Sequence, residues 1–127
     1  MTEVVLDASA LIALIRNEPG AEKVAAYMPG LHVSAVNICE TIGKMLHYGQ
    51  TLESVERHLN LLPMTVHGFD GTMAKIAASL LPTTRPHGLS LGDRACLSLG
   101  LVTRIPVLTT ERIWEKVDVD VEVVVIR

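Results

Sequence analysis

Aromatic residues are scarce in this sequence, which has one Trp, one Phe and two Tyr among 127 residues. A hydrophobic core therefore has to be built from aliphatic side chains. These are plentiful, because apolar residues make up 49% of the chain. The length suits one domain with a substantial core, and we expect residues 1–127 to form a single domain.

Cysteine is equally rare. The two cysteines, Cys39 and Cys96, lack a Cys-x-x-Cys spacing and fall within segments of helical character. Such a pair is not typical of a disulfide framework or of a zinc site. We interpret both as small apolar side chains buried in the core.

The sequence also lacks an excess of basic residues, since 11 Lys and Arg face 14 Asp and Glu and the formal net charge is −3. This balance argues against a protein that coats DNA or RNA, but it is compatible with a nuclease whose carboxylates hold cations. No apolar run approaches the roughly 20 residues that cross a bilayer, and the sequence does not open with a signal-peptide pattern. We expect a cytoplasmic protein without membrane contact.

Short apolar and β-branched runs alternate along the chain with segments whose apolar residues recur every three or four positions. This alternation is typical of parallel strands connected by helices. Residues 82–88 are the most loop-like segment. We therefore predict an α/β protein with a central parallel sheet of about five strands, at residues 4–6, 32–34, 64–66, 106–110 and 119–126.

Asp7 follows the first predicted strand and precedes a segment of helix formers. In an open parallel sheet, ligands bind beyond the carboxyl ends of the strands, so an acidic residue at this junction is well placed for chemistry. Asp is also a favoured N-cap residue. The residue by itself leaves both interpretations open.

Three further acidic residues, Glu40, Asp93 and Glu111, lie near strand-to-helix junctions or on the first turns of predicted helices. Each has a structural alternative. Glu40 precedes Lys44 by four residues, as in an exposed helical ion pair. Ser90 and Asp93 fit a capping box. Glu111 suits a first helical turn, where the helix dipole favours an acid. A coincidence at every position is far less plausible than at one, so we expect these carboxylates to converge.

A cluster of carboxylates is unfavourable unless cations offset its charge, because each carboxylate raises the pKa of its neighbours. Carboxylate oxygens suit Mg²⁺ or Mn²⁺. Such ions bind a phosphate group, generate hydroxide from water and stabilise the leaving oxygen. The acidic residues therefore predict hydrolysis of phosphodiester bonds.

Four segments carry a resemblance to a known family. They are residues 5–11 (VLDASAL), 34–40 (SAVNICE), 89–95 (LSLGDRA) and 107–114 (VLTTERIW). In order and separation they resemble the motifs of PIN-domain ribonucleases, and more closely those of the VapC-type toxins of prokaryotic type II toxin–antitoxin pairs. The similarity runs from one end of the chain to the other.

The resemblance implies an α/β/α sandwich and a metal-dependent endoribonuclease, whose metal ligands are Asp7, Glu40 and Asp93. Glu111 takes a fourth acidic position, at which the family more often has Asp. Because Glu is one methylene longer, it stays open whether Glu111 binds a metal directly, through water or not at all.

The resemblance also implies supporting polar groups at Ser9 and Thr110. Candidate contacts to RNA phosphates or to an antitoxin carboxylate lie close to the acidic motifs, and each of them equally suits a structural or solvated surface role. They are Asn37, Arg85, Arg94 and Arg112.

The family further implies Mg²⁺ or Mn²⁺ as cofactor, an RNA substrate, a homodimer and a cognate antitoxin that folds over the crevice. Two alternatives stay open: a PIN-fold binding module that keeps its acids without catalysis, and a housekeeping PIN ribonuclease without an antitoxin. A haloacid-dehalogenase-like phosphatase is disfavoured, because it would carry a second Asp two residues after Asp7, where this chain has Ser9. The sequence does not indicate which RNA is cut.

Overall fold

A sheet of five parallel strands runs through the middle of the computed structural model, which describes residues 2–127. The strands pair in the order β3-β2-β1-β4-β5, so the first strand is central. The predicted parallel sheet is confirmed. Its strands are β1 (Val4–Leu6), β2 (Leu31–Ser34), β3 (Met64–His67), β4 (Val107–Thr109) and β5 (Val123–Val125).

Helices connect successive strands. Within residues 2–127, no helix combines the length and the apolar character that crossing a membrane requires. Short 3₁₀-helices cover Arg85–His87 and Arg112–Lys116. The α-helices are α1 (Ala8–Arg16), α2 (Ala21–Ala25), α3 (Ala35–His47), α4 (Leu52–Leu61), α5 (Gly71–Ser79), α6 (Leu81–Thr84) and α7 (Leu91–Thr103).

Successive residues of β1 face opposite sides of the sheet, and each side has its own core. Val4 and Leu6 pack into one cluster with buried residues of α1, α2, α3 and α4. Val5 packs into a second cluster with buried residues of α7 and with Trp114. The molecule is thus an α/β/α sandwich, as the resemblance implied.

Polar N-cap residues determine where the helices begin. Side-chain oxygens of Asp7, Ser34, Asp70 and Ser90 accept hydrogen bonds from the first turns of α1, α3, α5 and α7. Asp7 directly follows β1, and Ser34 is the last residue of β2. Helices α1 and α3 therefore start at the edge that carries the carboxyl ends of the strands.

The prediction of a loop over residues 82–88 is wrong. Helix α6 covers Leu81–Thr84, and a 3₁₀-helix covers Arg85–His87. Proline is compatible with the first turn of a helix, where its missing N–H has no intrahelical partner. Pro82 and Pro86 both occupy such positions, so they start helical turns rather than interrupting them.

The last strand is shorter than predicted. Valine alternates with acidic residues before it, which favoured a strand over 119–126, but pairing is confined to Val123–Val125. The neighbouring β4 is three residues long, and its backbone hydrogen bonds to this segment reach only from Glu122 to Ile126. Val119 and Val121 instead pack against the second core cluster from irregular backbone.

The prediction that both cysteines are buried is wrong for one of them. Cys96 is buried in the second cluster, whereas Cys39 is exposed on α3. Asn37 and Thr41 are the buried polar residues of that helix. Cys39 lies midway between them, and a helical period of about 3.6 residues turns it to the opposite side.

Candidate active site

Asp7 is buried at the carboxyl edge of the sheet, with an exposed fraction of 3%. Its Oδ1 accepts hydrogen bonds from the backbone N–H of Ala10 at 2.8 Å and from the hydroxyl of Ser9 at 2.7 Å. The capping interpretation of Asp7 is therefore right. It does not compete with a chemical role, because the cap engages Oδ1 and leaves Oδ2 to other partners.

Thr109 provides the contact to the second oxygen. Its Oγ1 donates a 2.6 Å hydrogen bond to Oδ2 of Asp7 and accepts one from the backbone N–H of Glu111 at 3.0 Å. Thr110, the residue that the resemblance placed in a supporting role, donates from its backbone N–H to Oγ of Ser9 at 3.0 Å. The sequence alone does not distinguish these adjacent threonines, and only the strand's alternation turns Thr109 inward.

Asn37 joins the start of α7 to Glu40. Its Nδ2 donates to Oε1 of Glu40 at 2.8 Å and to the carbonyl oxygen of Gly92 at 3.0 Å. Both partners are acceptors, which fixes the orientation of the amide. Asn37 is 1% exposed, so it positions Glu40 rather than offering a surface contact to RNA or to an antitoxin.

Glu40 lies directly against Gly92. A Cβ atom at position 92 would overlap the Glu40 carboxylate, so α3 and α7 approach this closely only because residue 92 has no side chain. Within residues 2–127, none of the ion pairs includes Glu40. The alternative of a helical ion pair with Lys44 is therefore wrong.

Asp93 lies in the first turn of α7 and forms a capping box with Ser90. The backbone N–H of Ser90 donates to Oδ2 of Asp93 at 2.8 Å, and the backbone N–H of Asp93 donates to Oγ of Ser90 at 3.3 Å. The capping interpretation is confirmed here as well. The capping box engages only Oδ2 of Asp93 and so leaves Oδ1 available to a ligand, whereas both oxygens of Asp7 accept hydrogen bonds.

Glu111 lies at the mouth of an open crevice. Its side chain is exposed, and it precedes the 3₁₀-helix as its N-cap residue without a side-chain capping bond. Glu111 and Glu40 line the same crevice, which has a volume of about 670 Å³. Ser9 and Thr110 lie between them in its wall.

The acidic charges are coupled to one another. Burial raises the pKa of Asp7 from 3.8 to about 6, and the negative charge of Asp93 adds to this shift. The hydrogen bonds from Thr109, Ala10 and Ser9 act in the opposite direction. The carboxyl group of Asp7 is therefore held with its proton more firmly than an exposed aspartate.

The pKa of the Cys96 thiol on α7 is affected by the same charges. Burial raises the pKa of its thiol, and the charges of Asp7, Asp93 and Glu40 raise it further. One buried atom thus lies within the electrostatic reach of all three carboxylates. These three carboxylates therefore lie around the first turns of α7.

The donor set fits a hard divalent cation. In the described part of the chain, no ion pair includes Asp7, Glu40, Asp93 or Glu111, so their charge is without a cationic partner. No three His, Cys, Asp or Glu side chains among residues 2–127 lie close enough together to enclose an ion. Mg²⁺ is commonly held by one or two carboxylates and completed by water, so the set is compatible with that ion.

The predicted basic contacts separate into two kinds. Arg94 is half-buried, and its Nη1 donates to the carbonyl oxygen of Ala77 at 3.2 Å, which ties α7 to α5. The structural interpretation of Arg94 is therefore favoured. Arg85 and Arg112 are exposed on the two 3₁₀-helices, where a ligand can reach them.

Sequence reasoning missed part of the crevice wall, which includes Lys44, His47, Tyr48 and Arg127 as well as Glu18, whose Oε1 lies 3.5 Å from Nη1 of Arg127. The guanidinium of Arg16 lies over the Tyr48 ring, 3.9 Å from its centroid. Lys44 and His47 follow Glu40 at helical spacings, a signal that places them on its face of α3. Arg127 had no such local signal, because only the fold brings it here.

Comparison with protein families decides the classification. The model of the PIN domain matches residues 4–120. The chain belongs to the PIN-domain family. The match includes the segments that contain Asp7, Glu40, Asp93 and Glu111, so every acidic residue of the site lies within the PIN domain. Comparison with curated proteins yields no significant match.

Solved structures of other PIN-domain proteins share the fold at low sequence identity. VapBC2 from Rickettsia felis, bound to promoter DNA, has a TM-score of 0.74 at 12% identity, covering 95% of this chain and 96% of that one. VapBC-1 from nontypeable Haemophilus influenzae has a TM-score of 0.71 at 20% identity, covering 96% of each. VapC20 from Mycobacterium tuberculosis, a sarcin–ricin loop cleaving toxin, has a TM-score of 0.70 at 14% identity, covering 85% and 88%.

Proposed function

We propose that this PIN-domain chain is an endoribonuclease that hydrolyses RNA phosphodiester bonds with Mg²⁺ or Mn²⁺ as cofactor. The observation that carries the proposal is a group of acidic residues at one sheet edge, two of which, Glu40 and Glu111, line an open crevice, and none of which takes part in an ion pair within residues 2–127. Such a group is unfavourable by itself and becomes favourable when cations bind. Its members are Asp7, Glu40, Asp93 and Glu111.

In this proposal, neighbouring groups position the carboxylates that would hold the ions. Bound ions supply a Lewis acid and an activated water for attack on phosphorus. Asp7 and Asp93 present their oxygens from helix N-termini, and Asn37 holds Glu40 beside them. Glu111, which is exposed at the crevice, takes part directly or through water.

We further propose that the chain is a cytoplasmic toxin of a type II toxin–antitoxin pair and acts as a single-domain homodimer. The structures from R. felis and H. influenzae are of VapBC, and the one from M. tuberculosis is of a toxin that cleaves the sarcin–ricin loop. The partner expected by analogy is a cognate antitoxin that covers the crevice. An open crevice lined by both acidic and basic side chains suits such a cover.

Cleavage of total cellular RNA by the purified, partner-free protein tests the nuclease. We expect discrete cuts with Mg²⁺ or Mn²⁺, none with chelator, and none with Asp93→Asn. Asp118→Asn is the matched control, because Asp118 is an exposed acid that does not line the crevice. Absence of cutting by folded protein in either metal, across total RNA, would favour the non-catalytic binding module.

Expression in a bacterial host, with and without a protein that copurifies with the chain, tests the toxin role. We expect growth arrest by the chain alone, rescue by co-expression of a copurifying small protein, and no arrest with Asp93→Asn. A chain that cuts RNA but neither arrests growth nor copurifies with a partner would be a housekeeping ribonuclease.

A further inference from the structure

Tyr48, at the end of α3, presents an aromatic ring to solvent. The chain has four residues of type Trp, Tyr or Phe. Trp114 is buried, and Tyr27 and Phe69 are half-buried, whereas Tyr48 is 47% exposed. It lines the same crevice as Glu40. A ring that the core leaves uncovered therefore lies on the wall of the candidate active site.

The Tyr48 ring is held in place before any ligand binds. The guanidinium of Arg16 lies 3.9 Å from the ring centroid. Nε of Arg16 is 3.3 Å from Oε2 of Glu18, and Oε1 of Glu18 is 3.5 Å from Nη1 of Arg127. Glu18 thus bridges two guanidinium groups, one of which packs on the ring. A positioned ring loses little conformational freedom when a ligand contacts it.

Gly43 leaves open space on α3 between Glu40 and Tyr48. A glycine inside a helix is unfavourable relative to alanine. A Cβ at Gly43 would meet nothing within 4 Å, so packing within the chain does not require a glycine there, in contrast to Gly92. Gly43 also lines the crevice. A missing side chain at such a place lets a ligand approach the helix backbone.

Helix α3 sets the distance from the ring to the acidic residues. Glu40, Lys44 and Tyr48 are four residues apart, so they form one row along the helix. With a rise of 1.5 Å per residue, Tyr48 lies about 12 Å along the axis from Glu40. Nζ of Lys44, between them in the row, is 5.6 Å from the ring centroid. Because neighbouring bases of a stacked strand are about 3.4 Å apart, the row spans a few nucleotides.

We propose that Tyr48 is a stacking site for an RNA base a few nucleotides away from the phosphate at the acidic residues. The inference rests on the proposed function, since it adds a binding site to the same crevice. Arg16 holds the ring, and Lys44 contacts a phosphate between the ring and Glu40. Gly43 leaves room for the strand. Stacking uses the π-face that every base has, so the site tolerates different bases.

The charges beside Tyr48 favour RNA as the occupant. Lys44, His47 and Arg127 line the crevice beside the ring. The one acidic side chain of the crevice wall near them, Glu18, is engaged by two guanidinium groups. Proteins that bind single strands combine basic side chains, which follow the backbone, with aromatic rings on which bases stack. This part of the crevice has both features.

Binding of short oligouridines, each with one fluorescent aminopurine at a different position, tests the site. Aminopurine fluorescence falls when the base stacks on an aromatic ring. Asp93→Asn in Mg²⁺ is the common background, so that the RNA stays intact. We expect quenching at one or more positions. Adding Tyr48→Leu should abolish the quenching and weaken binding about five- to a hundredfold, whereas Tyr48→Phe should keep both. Leu61→Ala, which removes an exposed apolar side chain outside the crevice, is the control.

Two further variants test the rest of the row in the same background. Gly43→Ala should weaken RNA binding without lowering the melting temperature, since alanine favours the helix. Lys44→Gln should keep the quenching and reduce the salt dependence of binding by about one phosphate contact. Gly43→Ala that binds RNA as tightly as its parent would overturn the path of the strand along α3.

Cleavage by the chain with its acidic residues intact separates this inference from the proposed function. Tyr48→Leu should raise KM and leave kcat unchanged, because stacking contributes equally to the ground state and the transition state. Quenching without cleavage would support the stacking site and overturn the nuclease. Normal cleavage with unchanged RNA binding in Tyr48→Leu would overturn the stacking site alone. Absence of RNA binding by folded protein, or a loss in Tyr48→Leu confined to a copurifying protein partner, would overturn it as well.

Discussion

The carboxylate of Glu40 on α3 occupies the space that a side chain of Gly92 on α7 would fill. Gly92→Ala should therefore displace Glu40 and lower metal-dependent RNA cleavage by at least about tenfold. The free energy of unfolding should not fall, because Ala is favoured over Gly within helices by about 1 kcal/mol. Cleavage rates and thermal melts measure the two effects.

Gly71→Ala is the control for that variant, since a Cβ at Gly71 meets nothing within 4 Å. It should keep wild-type cleavage. Full activity in Gly92→Ala would show that the position of Glu40 against α7 does not matter to the reaction.

Thr109→Val removes the hydroxyl that bonds to both Asp7 and Glu111. A buried carboxylate that loses such a partner costs about 1–3 kcal/mol, so we expect destabilisation of that size together with reduced cleavage. Urea unfolding of Thr109→Val and Thr110→Val compares the two positions. Thr110→Val should stay within about 0.5 kcal/mol of the wild type, and the reverse order would return the supporting role to Thr110.

Asp7 makes the stability of the metal-free protein depend on pH. Its pKa is raised to about 6 in the folded chain, so the folded state keeps a proton that the unfolded state, near 3.8, has released. The contribution of Asp7 to the free energy of unfolding is therefore greatest below about pH 4, and it falls by about 3 kcal/mol as the pH rises through 6. Asp7→Asn keeps the cap and removes the charge.

In chelator near pH 8, we expect Asp7→Asn to be more stable than the wild type by about 1–3 kcal/mol, with the difference vanishing below about pH 4. Denaturant unfolding at a series of pH values measures it. A difference that does not change with pH would mean that burial does not perturb this carboxyl group.

Divalent ions should offset the destabilisation that the ionised Asp7 carboxylate causes in the metal-free protein. Mg²⁺ or Mn²⁺ at about 100 times its dissociation constant stabilises a folded protein by about 2.7 kcal/mol. The wild type should therefore melt at a higher temperature in metal than in chelator, and Asp93→Asn should show little of the increase. An equal shift in both would place the ion away from Asp93.

Replacement of Arg94 should lower stability, whereas replacement of Arg112 should weaken RNA binding. Arg94→Ala removes the bond from α7 to the Ala77 carbonyl and should lower the melting temperature. Arg112→Ala removes an exposed charge beside Glu111 and should leave melting unchanged while weakening RNA binding in a salt-dependent manner. Filter binding at several salt concentrations, beside thermal melts, tests this division.

Local signals sufficed to predict the sheet and the caps, because strand runs and capping residues act on their own neighbourhood. They also led us to expect Asp7, Glu40 and Asp93 near one edge, since parallel strands share their carboxyl ends, and the roles of these residues stay predictions. The contacts that support these acids were less accessible. Thr109 reaches Asp7 across 102 positions, and Asn37, a candidate contact to RNA or to an antitoxin, is buried by packing against α7.

The central position of β1 has a consequence for protein synthesis. The first strand made is flanked by β2 and by β4, whose last residue, Thr109, bonds to Asp7. A nascent chain that has not yet exposed β4 therefore lacks one of the two strands that flank β1, and it lacks the Thr109 hydroxyl that bonds to Asp7. The crevice is complete only after the chain up to Arg127, which lines it, has left the ribosome.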